Sequence, residues 1–316
     1  MSAEVHFLNV AWGDSHAIRL PSGKVTLIDG GDGAVLPNRD HPLRWLDRHG
    51  VEEIEWLILT HLHEDHLNGL LAVAEAKSIR NAVLPYEPFR LPAAEDEAAY
   101  VPLAGQMLHM LGAYLTLIER LREQGTAIRW RDGYGSREKA VVWEEEGVRF
   151  AHLYPWLGDP LPAYQMIRDM AEAGLPPTND ALLSFFEASN HDSSVYRLSL
   201  VDEPEHDIVF GGDQPEPGWE RMATRDDIAC GVLKAAHHGL PDGFNERILA
   251  LTRPEHCVIP IEAARSGPYA AEWKRLSKHA QTTIRLTSGA AHGLTYRLGS
   301  GAAPAAAIES DSEPDA

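Results

Sequence analysis

The chain has 316 residues, with 28 Lys and Arg against 47 Asp and Glu, and a net charge of −19. With 44 % hydrophobic residues, 26 Gly and 21 Pro, this composition excludes disordered and fibrous classes. The acidic balance disfavours long nucleic acid, whose binders carry a basic footprint.

No apolar run approaches the roughly 18 residues that span a bilayer, and no basic-then-apolar leader opens the sequence. Two cysteines, Cys230 and Cys257, sit in apolar strand-like segments. The expectation is a cytoplasmic protein without membrane contact, its thiols reduced and buried.

Short strands over residues 5–9, 17–20 and 24–29, with a Pro21-Ser22-Gly23 turn, open the chain. A helix over residues 43–49 stops at Gly50, a C-cap glycine. Trp56-Leu57-Ile58-Leu59 reads as a strand buried on both faces; a histidine-rich loop follows, then a helix over residues 67–76. Between residues 86 and 180 the pattern changes. Met107, Met110, Leu111, Tyr114, Ile118 and Leu121 recur at helical spacing and predict an amphipathic helix over residues 101–123. His109 falls on its other side, as a surface or packing residue. Strands near 127–130, 140–145 and 149–154 and a helix near 163–173 follow. This stretch reads as an insertion that shapes a substrate pocket.

From Ser193 the alternation resumes, with strands over residues 195–201, 207–210, 228–235, 257–261, 282–286 and 293–298 and helices over 245–251 and 270–279. Two sheets packed together with helices outside are expected. Residues 1–298 form a single domain, with 86–180 as its insertion. Residues 299–316 carry Glu309, Asp311, Glu313 and Asp315 and no basic residue, and read as a disordered acidic tail.

The chemistry concentrates in Thr60-His61-Leu62-His63-Glu64-Asp65-His66. Three histidines and an aspartate at the end of a buried strand cannot all be core residues. Imidazole nitrogen and carboxylate oxygen suit Zn²⁺, with Mn²⁺ and Fe next. In an extended loop His61 and His63 point the same way and can chelate one ion; Asp65 and His66 then turn toward a second.

His-x-His-x-Asp-His after an apolar strand resembles the signature of the metallo-β-lactamase superfamily. The resemblance implies a four-layer αββα sandwich of α/β class with a one- or two-metal site. It further implies that Asp29, in Leu-Ile-Asp-Gly-Gly, steadies the histidine loop, and that Asp213, in Phe-Gly-Gly-Asp, bridges the ions. His237-His238-Gly239 matches the final histidine. The His-Gly pair favours His238 as ligand with His237 facing substrate, and the two can exchange roles. The segments around His6–Ser15, Asn190–Val195 and Leu233–Gly239 are similar to the ComEC-type branch, which is itself similar to phosphorylcholine esterases; together they cover roughly residues 5–84 and 190–298. That branch implies phosphodiester hydrolysis, with nuclease activity as one form of it.

Two departures stand out. Where most of the superfamily supplies a third histidine to the first metal, this chain has Asn190, with His191 beside it, and either is a candidate ligand. An oxygen ligand there makes Mn²⁺ more plausible beside Zn²⁺. The usual Gly-Gly after the histidine loop is Asn68-Gly69. In this reading two metals, zinc or manganese, provide a hydroxide that attacks phosphorus, with Asp65 and Asp213 central to the catalytic set. Asp14 and Asp29 orient ligand imidazoles, and Lys234 and His237 clamp a phosphate or protonate the leaving oxygen. For Lys234 an ordinary solvent-exposed strand position is the competing reading. Ser193 and Ser194 either donate to a phosphate or serve as turn residues.

The expected partner is a small phosphodiester or another anionic substrate. The same metals also suit a carboxylic ester, lactone or β-lactam, because a fold does not choose a substrate. A non-catalytic metal-binding module is the third possibility.

Overall fold

The computed structural model describes residues 3–92, 100–131, 135–202 and 207–298. The predicted acidic tail lies outside the described residues. Strands β1 (Ala3–Phe7), β2 (His16–Arg19), β3 (Val25–Ile28), β4 (Glu53–Ile58), β5 (Ser78–Leu84), β6 (Ala127–Trp130) and β14 (Leu294–Leu298) form one seven-stranded sheet, ordered β14-β1-β2-β3-β4-β5-β6. The second joins β7 (Val141–Glu145), β8 (Val148–Tyr154), β9 (Val195–Leu200), β10 (Ile208–Phe210), β11 (Val232–Lys234), β12 (His256–Ile259) and β13 (Thr283–Leu286). Its order is β13-β12-β11-β10-β9-β8-β7.

Each sheet is antiparallel in one half and parallel in the other. The chain runs antiparallel through β1, β2 and β3, then parallel from β3 through β6. It repeats that plan from β7 to β13. A hairpin can join antiparallel neighbours, but parallel ones need a crossover, and the crossovers here are helices. In the first half they are α1 (Pro42–Arg48), α2 (Glu64–Ala76) and α3 (Pro102–Glu123). In the second half they are α6 (Glu216–Ala223), α7 (Glu246–Thr252), and α8 (Ala263–Ser266) with α9 (Ala270–Ala280). The last strand, β14, returns to pair with β1.

Side-chain alternation assigns the layers, because neighbours in a strand face opposite sides of the sheet. Leu27 and Leu57 face the first helical layer, whereas Ile28 and Ile58 face the other sheet. In the second sheet Leu233 and Ile259 face α6, α7 and α9, and Val232 and Val258 point inward. Phe7 stacks on Phe210 across the inter-sheet core, ring centres 5.8 Å apart. The result is the expected αββα sandwich. Among the described residues no helix is long and apolar enough to cross a membrane. Cys230 and Cys257 are both free and buried.

The stretch over residues 86–180 is less of an insertion than its sequence implies. β6 closes the first sheet, and β7 and β8 pair with β9 in the second, so its strands belong to the sandwich. What goes beyond the crossover plan is helical: α4 (Pro162–Ala173) and α5 (Asn179–Ser189) join the crossover helix α3 over the first sheet's outer face. Neither α5 nor α6 was expected. Pro215, Pro217 and Gly218 make α6 read as a turn, and α5 follows α4 and runs directly into the Asn190 loop.

Gly69 shows why one glycine of the usual pair is retained. A Cβ there would stand 1.8 Å from the carbonyl oxygen of Gly30, so the first turns of α2 and the loop after β3 meet backbone to backbone. Gly30 N–H donates to the His66 carbonyl at 2.7 Å across the same contact. Gly69→Ala is expected to destabilise the fold by about 1–3 kcal/mol through overpacking. Gly112→Ala, on an open face of α3 with nothing within 4 Å, is expected to be neutral or stabilising by up to about 1 kcal/mol. Denaturant midpoints of the two variants check the contrast.

Candidate metal centre

β4 ends at Ile58, and the histidine segment runs from its end into α2. His63 is the extended N-cap residue of that helix, so Glu64, Asp65 and His66 lie in its first turn rather than in a free loop. A carboxylate there is favoured by the helix dipole. The backbone is then pinned from the first sheet. Asp29, at the end of β3 with φ of +56°, accepts from Thr60 N–H at 2.8 Å and from Thr60 Oγ1 at 2.7 Å. A non-glycine residue in the left-handed region is costly, and Asp29 is held there by these bonds.

The same carboxylate fixes a tautomer. His66 Nδ1 donates to Asp29 Oδ2 at 2.8 Å, which turns Nε2 inward. His238 Nδ1 donates to the Pro260 carbonyl at 3.1 Å with the same effect. The Thr60 hydroxyl has given its proton to Asp29, so at 3.2 Å it accepts from His61 Nδ1. Three imidazoles thus present Nε2 to one space, where Asp213 and Asp65 bring oxygens. His66 Nε2 and His238 Nε2 each lie 3.4 Å from an Asp213 oxygen, His61 Nε2 lies 3.8 Å from one, and His238 Nε2 lies 3.0 Å from Asp65 Oδ2.

These residues fit divalent ions. Ligands on a tetrahedral ion with bonds of about 2.0–2.1 Å stand about 3.4 Å apart, close to the observed spacings. His61, His66 and His238 Nε2 and Asp213 Oδ1 are all buried without a hydrogen-bond partner. Buried polar atoms are almost always satisfied, so four converging on one space need a cation.

The field agrees. Burial would lower His66 and His238, but Asp213 and the other carboxylates hold both well above the ordinary imidazole value. Burial would likewise raise Asp213, yet His238 and His66 hold it well below the usual carboxylate range. His63 stands beside the group, its ring centre 4.7 Å from His61 and its Nε2 3.3 Å from the Phe186 carbonyl.

Asp14 supports the site from behind. It is 1 % exposed and lies 3.4 Å from His238 Nδ1 and 3.6 Å from His16 Nε2. A side chain on Gly13 (φ +110°) would collide with the Asp65 carbonyl, to which Asp14 N–H donates at 3.1 Å. Burial would raise Asp14, but the Lys234 ammonium paired with it holds the carboxyl well below its usual range. Lys234 differs from its sequence-based roles. It is fully buried, donates to the Gly212 carbonyl at 2.8 Å and stands 3.8 Å from Asp213 Oδ1, behind the ligands and away from the cavity. It is neither a solvent-exposed strand residue nor a clamp on substrate.

His237 and His238 follow one another in the left-handed region, with φ of +48° and +51°. Their roles separate there: His238 is buried among the ligands, and His237 faces the cavity with Nδ1 on Asp242 at 2.8 Å. Asn190 Nδ2 donates to His237 Nε2 at 3.2 Å, and its buried Oδ1 has no partner. His191 is exposed and does not line the cavity. Ser193 Oγ accepts from Asp213 N–H at 2.8 Å, and Ser194 N–H donates to Thr60 at 3.0 Å; both serines are buried in the scaffold.

Two contributions escaped the sequence reading. Asp192 accepts from Tyr86 hydroxyl at 2.7 Å and from Tyr164 N–H at 2.8 Å, tying α4 to the Asn190 loop. Trp12 packs on the His238 ring, 4.7 Å between centres. A buried acid beside Asn190 and a Trp-Gly-Asp run were signals, but neither specified a partner. Above the ligands opens a cavity of about 430 Å³, walled by Trp12, Leu103, Met107 and Phe186.

Residues 12–164 match the family model of the metallo-beta-lactamase superfamily. Over that stretch the chain is similar to members of this superfamily. The matched span includes most of the presumed insertion, in line with its strands lying inside the sandwich.

Solved structures with a similar fold include CmlA, a diiron β-hydroxylase from Streptomyces venezuelae (14 % identity, TM-score 0.49, covering 94 % of this chain and 54 % of CmlA). The chain thus spans about half the length of CmlA. A diphosphatase from the PhnP family (12 %, TM-score 0.47, 93 % and 96 % covered) and the metallo-beta-lactamase fold protein YhfI from Bacillus subtilis (10 %, TM-score 0.48, 93 % and 99 % covered) are also similar. A comparison with curated proteins found no match.

Proposed function

We propose that the protein is a metal-dependent phosphodiesterase of the ComEC-like kind. Two divalent ions, zinc or manganese, would be held by His61, His63, Asp65, His66, Asp213 and His238, with Asn190 Oδ1 as a further oxygen ligand. The observation that carries the reading is the unpartnered donor set at the floor of an open cavity. A closed structural site would leave no such opening. When bound, the ions supply Lewis acidity, which draws charge from a phosphoryl oxygen and makes water a stronger acid.

The chain's own residues do the rest. Asp29, Pro260 and Thr60 hold the three ligand rings in the productive tautomer. Asp242 accepts from His237 Nδ1 and Asn190 donates to Nε2, which fixes the ring at the cavity wall with Nε2 placed to take up a proton. Leu103, Met107 and Phe186 exclude water from one side. The choice of a diester rests on the likeness of the Asp14, Ser193-Ser194 and Lys234-to-Gly239 segments to the ComEC-type branch.

Protein stripped of metal by a chelator is expected to lose bis(p-nitrophenyl) phosphate hydrolysis at least about 100-fold, and to regain it with Zn²⁺ or Mn²⁺. Metal uptake without diester cleavage would move the reading to carboxylic esters, lactones and β-lactams. No metal uptake would overturn the catalytic reading.

A further inference from the structure

The end of α5 and the turn after β11 meet at the cavity, and their contact fixes the direction of an amide. Asp242 follows the two left-handed histidines, and its carboxylate, which only accepts, takes His237 Nδ1–H at 2.9 Å and 2.8 Å on its two oxygens. A neutral imidazole carries one proton, and the bond made by one nitrogen decides the state of the other. With the proton on Nδ1, the lone pair stands on Nε2. Nε2 therefore accepts, and the group 3.2 Å from it must donate. Asn190 can meet it only with its NH2, so the amide oxygen is turned away from the ring.

That oxygen is buried and has no hydrogen-bond partner. Asn190 lines the cavity with Asp65, Asp213 and His238, and Asp213 Oδ1 and His238 Nε2 are unpartnered in the same way. Buried polar atoms are almost always satisfied, so an oxygen held in that company points to a cation. The turn itself is seated by backbone. A Cβ on Gly243 would stand 2.8 Å from both the Ala236 carbonyl and His237 Cβ, and the Asp242 carbonyl accepts from Glu216 N–H at 2.9 Å. The half-exposed Asp242 carboxylate is thereby held against the ring.

Resting on the metal-binding part of the reading above, we infer that Asp242 and His237 form a relay that orients Asn190 and so presents a neutral amide oxygen to the metal. Asp242 is then a positioning residue for the ion, although a whole imidazole separates it from Asn190. The relay moves no proton. It fixes the tautomer of His237, and with it the end of the amide that faces the ligand set.

Asp242→Ala removes the acceptor and lets His237 carry its proton on either nitrogen. Calorimetry on metal-stripped protein with Mn²⁺ alone and with Zn²⁺ alone reads the affinity, at a pH of about 8 where a free imidazole is neutral. Asp242 lies in a half-exposed turn, so thermal melts of the variants should match. The variant is expected to bind either ion about 10–100-fold more weakly, the usual effect of losing a group that orients a ligand. Asp242→Glu should recover most of that loss. Asn190→Asp supplies the control, because a carboxylate presents an oxygen whichever way it is turned. In that background Asp242→Ala should cost little.

An equal loss in both backgrounds would mark a field or folding effect and overturn the inference. So would no loss in either, or an Asn190→Ala protein that binds both ions as tightly as before. Hydrolysis of bis(p-nitrophenyl) phosphate by the same proteins separates the relay from the phosphodiesterase reading. The expected affinities without diester cleavage keep the relay and drop the diester. Diester cleavage without those affinities drops the relay alone, and absence of metal uptake removes both.

Discussion

Asp213→Ala is expected to cost more than about 100-fold in hydrolysis and to lower metal content together with activity. Loss of a group that merely orients a ligand costs about 10–100-fold, and Asp213 stands closer to the chemistry than that. Its two oxygens lie within 3.8 Å of the Nε2 atoms of His61, His66 and His238, so one side chain serves both halves of the ligand set. The variant should still fold. The Asp213 backbone, not its carboxylate, anchors the loop, through its N–H on Ser193 Oγ. Elemental analysis and a thermal melt separate the outcomes: metal lost with the melt preserved supports the assignment, and full metal content with full activity would refute it.

Lys234→Met is expected to destabilise the protein by about 3–5 kcal/mol, the usual cost of leaving a buried charge without its partner. Methionine matches the length of the lysine stem, so the loss reports the ammonium rather than a void. Without it Asp14 loses the ammonium that does most to hold it down, and burial pushes that carboxyl up against the imidazoles that remain beside it. In an Asp14→Asn background the same change should cost less, and a coupling of up to about 3 kcal/mol is expected. Urea denaturation of the four proteins gives the cycle. Additive costs would mean that the pair does not interact and that Lys234 serves only Gly212.

Much of this architecture was legible in the chain. Buried runs such as Trp56–Leu59 and the alternation after Ser193 announced strands, because burial on one or both faces leaves a period that survives in any context. The amphipathic pattern over Met107–Leu121 announced α3 in the same way. The ligand heptapeptide was equally plain, since histidines that close together serve little purpose in a core. Membership of residues 86–180 was misread because strand pairing across long sequence distances leaves no local mark: β8 pairs with β9 on the far side of two helices.

The candidate ligand residues are a property of the sequence: His61, His63, Asp65, His66, Asp213 and the His237-His238 pair stand in recognisable local patterns. Which nitrogen each ring presents, and which of two adjacent residues enters the site, are properties of the assembled sandwich. Asn190 was separated from His191, and His238 from His237, only when α5, β11 and the Asp242 turn came together. Lys234 went from a candidate clamp to a buried counter-ion for the same reason. A side chain's charge is written in the chain, but its burial and its partner depend on residues that are distant in sequence, here Asp14 and Gly212.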